Sequence, residues 1–324
     1  MALITNTVTR YDATRAVRED LSNMIYNIAP VDVPVMSNAG RDTAKQTFFE
    51  WQTDGLAAPS NTPVLEGDDI VGYTDPRAPT NRVNNYTQIN RKVVTVTGTL
   101  EAVDKAGMRS YLAYELAKAA SEMKRDMETG VTGFQIGNAG SNTVARATAG
   151  MGAWIITNYA GGATGAAPVM SGSGMNGTPG TAATAGTNRA FTEDLFKAAQ
   201  QAVWTQGGDP KVAFMNASQK VAFSTFAGIA TRFRDVPAGK QAQIIGAADL
   251  YVGDFGTTSV VPDRFMPTHN VYVGDTEYMS LAYLRNFRTE VMAKTADGEK
   301  RMLIAEWGVR MKSQYSWANI ADLT

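Results

Sequence analysis

The sequence has no cysteine and a single histidine, His269. The first absence excludes a disulfide framework and any thiolate metal site. The second excludes every His-pair metal motif and leaves His- or Cys-based nucleophilic triads without support. No run of about 18 apolar residues occurs, so no membrane-spanning helix is expected. The N-terminal MALITNTVTRYDATRAVRED lacks the basic-then-apolar order of a secretory signal. Synthesis in the cytoplasm is expected, and the sequons at Asn85 and Asn216 are read as chance matches. A charge surplus is missing too: 30 Lys+Arg stand against 31 Asp+Glu, a net charge of -1. A dedicated nucleic-acid binder would show a basic excess, although a surface that merely faces DNA need not. No G-x-x-x-x-G-K-[ST] phosphate cradle is present, and the glycines lack its strand-turn-helix setting.

What is present is length and patterning. The 324 residues are 44% hydrophobic, enough for two or three lobes with a substantial core. The strongest pattern lies at residues 107–134. Met108, Leu112, Leu116, Ala119, Ala120, Met123, Met127 and Val131 recur at steps of three and four, the stripe of an amphipathic helix. Glu115, Lys118, Glu122, Lys124, Arg125, Asp126 and Glu128 are expected on the opposite, solvated face. The pairs Glu115/Lys118, Lys118/Glu122 and Lys124/Glu128 have the spacing of helix-surface ion pairs. At about 1.5 Å per residue such a helix spans roughly 40 Å.

Before it, residues 1–40 read as an arm. A helix over residues 14–28 is expected, with Thr14 as N-cap, an apolar face of Val17, Leu21, Met24, Ile25 and Ile28, and Pro30 and Pro34 beyond it. The arm is too small to bury that face on itself. Residues 45–54 and 87–99 alternate with the period of strands. Between them lie Pro59, Pro63, Pro76 and Pro79 with few large apolar residues. Two strands carrying a long projecting loop fit this pattern, and such a loop would be ordered by contact with another chain.

After the helix, residues 138–190 are rich in Gly, Ala, Ser and Thr, and a flexible or weakly ordered stretch is expected there. A helix over 191–206 follows, with Thr192 as N-cap and Gly207-Gly208 as its stop. A strand KVAFM, a helix capped by Asn216, a polar loop over 231–240 and three short strands complete a small α/β lobe. Residues 277–313 form long strands around a turn at 295–298. There Leu303, Ala305, Trp307, Val309 and Met311 alternate against Glu306, Arg310 and Lys312. Trp51, Trp307 and Trp317 are read as core or interface aromatics.

Four separated stretches carry a resemblance: EWQTDGLAAPSNTPVLEGDD, NRVNNYTQINRKVVTVTGT, ADLYVGDFGTTSVVPDRFM and LAYLRNFRTEVMAKTADGEKRMLIAEW. Together with the order of elements, they resemble the major capsid proteins of tailed bacteriophages with the Hong Kong 97-type fold. The resemblance implies an α+β chain with an N-terminal arm at 1–44 and an E-loop at 45–100. The first part of the P-domain would be 101–209, including the spine helix at 107–134. An inserted A-domain would occupy 210–283, and P-domain return strands 284–324.

The function so implied is structural. Copies would form hexamers and pentamers of an icosahedral head around double-stranded DNA, without sequence-specific binding. No catalytic, cofactor or metal residues are expected. Glu66, Asp68, Asp69, Arg77, Arg82 and Arg91 on the loop side are candidates for inter-subunit contact, as are Arg232, Arg234 and Asp235 around the capsomer axis. Expected partners are further copies of the chain, a separate scaffolding protein (or a scaffold-independent route, since no fused scaffolding domain precedes the arm), a portal and a decoration protein. Assembly would occur in the host bacterial cytoplasm. Two alternatives remain open: an encapsulin-type nanocompartment shell, and an enzyme holding a hard cation on Glu66, Asp68 and Asp69. Deleting residues 56–85 is expected to leave a soluble chain that cannot form closed shells.

Overall fold

The computed structural model describes residues 32–59, 61, 63–69, 80–105, 107–226, 249–294 and 296–324. The helix expected at 14–28 and the loop at 231–240 lie outside them. In order, the described chain forms α1 (Pro34–Asn38), β1 (Gly40–Thr43), β2 (Phe48–Thr53), β3 (Asn81–Tyr86), β4 (Gln88–Thr97), α2 (Gly98–Ala102) and α3 (Tyr111–Thr132). Then come α4 (Met151–Trp154), β5 (Tyr159–Ala160), β6 (Val169–Met170), β7 (Pro179–Thr181), α5 (Glu193–Thr205), β8 (Val212–Met215) and α6 (Ala217–Ser224). Strands β9 (Leu250–Gly253), β10 (Gly256–Pro262), β11 (Val271–Gly274), β12 (Met279–Val291), β13 (Gly298–Met311) and β14 (Trp317–Ile320) finish the chain.

The long helix is present but begins at Tyr111, four residues later than its periodicity suggests. Ser110 fixes the start: its Oγ accepts the Ala113 N–H at 3.2 Å, satisfying one of the unpaired first-turn donors. Leu112, Ala119, Met123, Met127 and Val131 are buried as the stripe requires. Two expectations about its charged face fail. The three intrahelical pairs do not form; instead Lys92 of β4 reaches Glu122 and Asp126 at 3.4 and 2.9 Å. Glu128 is fully buried and turned toward α1, not solvated.

Two sheets carry the fold. One has the order β1-β12-β13-β4, the other β5-β14-β11-β8-β10-β9. The boundary expected at 283/284 falls inside β12, and β14 joins the second sheet rather than the return strands. Met123, Met127 and Val131 of α3 share a core with Trp154, Ile155, Leu303, Trp307 and Val309. A second core gathers Phe196 and Val203 of α5, Phe223 of α6, Tyr251, Val271 and Ile320. Strand β11 stands between them: Val271 and Val273 face the second core and Tyr272 the first, its hydroxyl donating to the Thr132 carbonyl of α3 at 2.8 Å. Helix α5 starts as expected, with Thr192 accepting from Leu195, and stops at Gly207, whose φ of +87° suits glycine. Asn216 sits at the N-cap of α6, but its side chain does not cap; it donates to the Met266 carbonyl at 2.9 Å.

Strand β13 departs from simple alternation. Trp307 is buried as expected, but so are Ile304, Glu306 and Gly308 on the other face. A two-stranded sheet, β2-β3, covers that face. The approach is close: a Cβ on Gly308 would stand 2.7 Å from the Phe49 ring and 2.9 Å from the Tyr86 carbonyl oxygen. Strand β3 lies inside the segment read as loop. It is polar (NRVNNY), yet Asn85 is fully buried. Asn85 donates to the Val309 carbonyl at 2.6 Å and accepts from Ala149 at 2.9 Å. A polar side chain thus takes the place an apolar one would hold in the pattern.

Glu306 is buried without being isolated. Arg146 donates to its Oε1, Thr87 donates to the same oxygen at 2.9 Å, and Arg285 donates to Oε2 at 2.7 Å. Removing a partner from such a buried arrangement leaves uncompensated charge. Glu306→Ala is therefore expected to destabilise the chain by about 3–5 kcal/mol in urea unfolding, the range for breaking a buried pair.

The stretch at 138–190 is not the weakly ordered segment its composition suggests. Met151, Trp154 and Ile155 are core residues, and the glycine-rich remainder is cross-linked by hydrogen bonds. At one end Gly177 donates to the Arg82 carbonyl at 2.9 Å, and Asn84 donates back to Gly177 at 3.0 Å. At the other end the Asp322 carboxylate accepts from Gly162 at 2.8 Å. Cβ atoms on Gly165 or Gly186 would stand 2.9 Å from that carboxylate oxygen. Small residues are needed there because backbones and a buried carboxylate pack side by side.

Candidate functional site: a projecting loop and the surfaces around it

The loop leaves the body through a rigid root. Strands β2 and β3 pair from Phe48↔Tyr86 to Thr53↔Asn81. Phe49 and Trp51 stack at 5.9 Å, and Trp51 meets Trp154 at 5.4 Å. The Arg310 guanidinium lies 5.5 Å from the Phe49 ring centroid and 5.8 Å from that of Trp51, while also pairing with Asp42. A half-buried cation on two ring faces adds attraction to the packing. The Gly177 bridge to β3 braces the hairpin from its other edge.

Beyond Thr53 the character reverses. Leu56, Val64 and Leu65 are 102%, 73% and 82% exposed. Glu66, Asp68 and Asp69 are exposed with them, around a turn in which Asp68 donates to the Leu65 carbonyl at 3.1 Å. The three carboxylates do not converge: among the described residues no three His, Asp or Glu gather as a metal site. Large apolar groups this exposed among the described residues make the loop a candidate contact surface.

The other sequence candidates separate. Arg82, at the root, pairs with Glu50 on the neighbouring strand of the same chain. Arg91 lies on the outer face of β4, between the exposed Ile89 and Val93, and makes no ion pair among the described residues. The end of the β12–β13 hairpin exposes Val291 and Met292. Arg77, Arg232, Arg234 and Asp235 lie outside the described residues. Sequence reading missed the hairpin end and the Ile89/Val93 face. Their alternation was visible, but which face stays open depends on where α3 packs. His269 sits on the surface with Nδ1 2.6 Å from the Leu323 carbonyl oxygen. Among the described residues no helix is long and apolar enough to cross a membrane.

A braced hairpin with an exposed tip, a helix laid on a long-stranded sheet, and a second sheet-bearing lobe define a shell-building subunit of the Hong Kong 97-like class. Solved capsids show this fold. The Cyanophage A-1(L) capsid asymmetric unit matches with a TM-score of 0.69 at 14% identity, covering 98% of this chain and 100% of that one. The capsid of a native GTA particle matches at 0.60 and 15%, covering 99% and 100%.

The chain belongs to the SU10 major capsid protein family, whose model it matches over residues 3–324. The major capsid protein of Escherichia phage Phieco32 is 27% identical over 337 residues, spanning 91% of each chain. The protein is thus a major capsid protein of a tailed phage and a component of the virion. These matches favour a phage head over the encapsulin-type shell.

The two arginines of the root make contrasting predictions. The Arg82–Glu50 pair is largely exposed, so Arg82→Ala is expected to change stability by less than about 1 kcal/mol. Arg310→Ala removes both ring contacts and the Asp42 pair, and should cost about 2–3 kcal/mol in the same urea titration.

Proposed function

We propose that copies of this chain assemble into hexamers and pentamers that close an icosahedral head around double-stranded DNA. The observation that carries this reading is the contrast within the β2–β3 hairpin. Its root is clamped into the core, and its tip presents Leu56, Val64 and Leu65 to solvent. A loop held firmly at its base and unsatisfied at its end is ordered on assembly, when a neighbour covers it. Repetition around a closed shell multiplies contacts that are weak singly.

In this reading residues 1–44 form the arm, 45–100 the E-loop region and α3 the spine helix. The sheet β1-β12-β13-β4 forms the P-domain. The inserted A-domain is the lobe of α5, α6 and the six-stranded sheet, including β14. Glu66, Asp68 and Asp69 at the tip face basic groups on an adjoining subunit, and Arg91 is one such group, with no partner of its own among the described residues. Arg82 contributes less, because Glu50 already neutralises it. Arg77, Arg232, Arg234 and Asp235 stay contact candidates on the family resemblance. A near-neutral chain suits a container, since a strongly basic lining would grip packaged DNA through counterion release. A scaffolding protein, a portal and a decoration protein complete the proposed partners, with assembly in the host cytoplasm and no enzymatic role.

A deletion of 56–85 would remove β3 and the buried Asn85, and so would test folding rather than assembly. Replacing residues 54–80 with an Asn-Gly turn instead joins the paired ends Thr53 and Asn81. That variant is expected to keep its circular dichroism spectrum and its urea midpoint, yet to give no closed particles by electron microscopy. Ordinary heads from a folded variant would remove the loop from the assembly mechanism.

A further inference from the structure

The chain contains one Asn-Gly step, Asn176-Gly177, in the glycine-rich stretch that edges β3. Such a step is chemically labile wherever it is free to move. Glycine shields its amide nitrogen with no side chain, so that nitrogen readily reaches the side-chain carbonyl carbon of the residue before it. The fold nevertheless requires glycine here. Gly177 has a φ of +92°, and a Cβ on it would stand 2.5 Å from Ser171 Oγ and 3.1 Å from the Gly172 nitrogen.

Both groups that would react are tied to Arg82 of β3. The Gly177 N–H donates to the Arg82 carbonyl at 2.9 Å, and Asn176 Oδ1 accepts the Arg82 N–H at 2.7 Å. The side-chain amide is held from its other end as well: Nδ2 donates to the Ser173 carbonyl at 2.9 Å and to Asn81 Oδ1 at 3.4 Å. The Asn84 N–H closes the set on the Gly177 carbonyl at 3.0 Å. A nitrogen whose hydrogen points at Arg82 cannot swing onto Asn176 Cγ, and the side chain cannot turn to meet it. The strap that carries them is anchored by Met175, half-buried against the core of α3, with its sulfur 3.7 Å from Gln314 Nε2. Ser171, Gly172, Ser173 and Gly174 before it are exposed.

We propose that Asn176 is a spontaneous deamidation site that β3 holds shut. When the strap lifts, the Gly177 nitrogen gives its proton to solvent base and attacks Asn176 Cγ. The new C–N bond closes a cyclic imide, the Cγ–Nδ2 bond breaks, and the nitrogen leaves as ammonia after taking up a proton. Water then opens the ring at either carbonyl, leaving aspartate or isoaspartate at position 176. Neither product restores the strap. Isoaspartate carries an extra methylene in the main chain, so residue 176 and Gly177 no longer reach Arg82 together. Aspartate turns an oxygen toward the Ser173 carbonyl where an N–H donated before, setting acceptor against acceptor. The reaction is thus a one-way loosening of the root from which the exposed loop projects, and nothing in it requires a neighbouring subunit.

Peptide mapping of the full-length chain by mass spectrometry, after incubation in mildly alkaline buffer, tests the site. Reaction proceeds only from the lifted state, so Asn176 should convert at least about tenfold more slowly than in a synthetic peptide of residues 170–181. Met175→Ala removes the anchor and should speed conversion in the folded chain by at least about threefold, leaving the rate in the matching peptide unchanged. Conversion in the folded wild type at the peptide's rate overturns the proposal, as do equal or undetectable rates in the wild type and Met175→Ala. Should that variant fail to fold, the wild type in urea below its unfolding transition decides. Conversion at Asn176 and exchange of the Gly177 amide should then rise together; conversion that stays flat while that amide exchanges refutes the site. The loosening is read on purified isoaspartyl chain, in which β3 should exchange roughly tenfold faster than in fresh chain. Equal protection of β3 in the two refutes the loosening.

Discussion

The arrangement around Glu306 is the constraint on which the body of this subunit depends. One carboxylate in the middle of β13 gathers Arg285 from the adjacent strand, Thr87 from the junction of β3 and β4, and Arg146 from the segment after α3. Arg146 also donates to the Thr87 carbonyl at 2.7 Å, which closes the set. Four distant parts of the chain must reach their places together for that charge to be tolerable in a dry interior. Trp307, next along the strand, faces the opposite way, toward α3, and donates from its indole to Asn90 at 3.1 Å. Successive residues thus lock the two faces of β13 to different layers: α3 on one side, the loop-bearing hairpin on the other.

That arrangement gives the glycine-rich stretch a purpose. It runs from the Arg146 contact, through the Gly177 bridge that edges β3, to the pocket around Asp322 beside the last strand. It therefore links the root of the projecting loop to the six-stranded sheet. A brace that must slip between backbones needs small side chains more than apolar ones. The stretch adds hydrogen bonds to a continuity that apolar packing already provides, since Phe214, Tyr272 and Trp317 of the six-stranded sheet share the core of Met123 and Trp307.

Much of this was legible in the residue pattern. The stripe of α3, the cap and stop of α5, and the strands flanking the terminal turn follow from periodicity and capping chemistry, which are local. What was not legible depends on contacts made far along the chain. Strand β3 looked like loop because NRVNNY has a single apolar residue among its buried ones, Val83, while buried Asn85 is held by Ala149 and Val309, more than sixty residues away. Glu128 looked solvated because helical spacing put it among charges; only the placement of α1 turns that face inward. Composition misjudged 138–190, since low apolar content says little about a segment held by backbone bonds. For the candidate contact surface, the acidic tip was readable as charge. The exposure of Ile89, Val93 and Val291 was not, since it depends on which sheet face the helix leaves open.

The register of the hairpin has a consequence of its own. Thr53 faces Asn81, so the excursion leaves and re-enters the body at adjacent strand positions, roughly 5 Å apart. The body therefore does not sense how much chain lies between them. Under the assembly proposed above, the neighbouring subunit is what constrains that interval. On that proposal, a shell with different contacts needs only this interval rewritten, because the register at Thr53 and Asn81 leaves the interior of the subunit as it is.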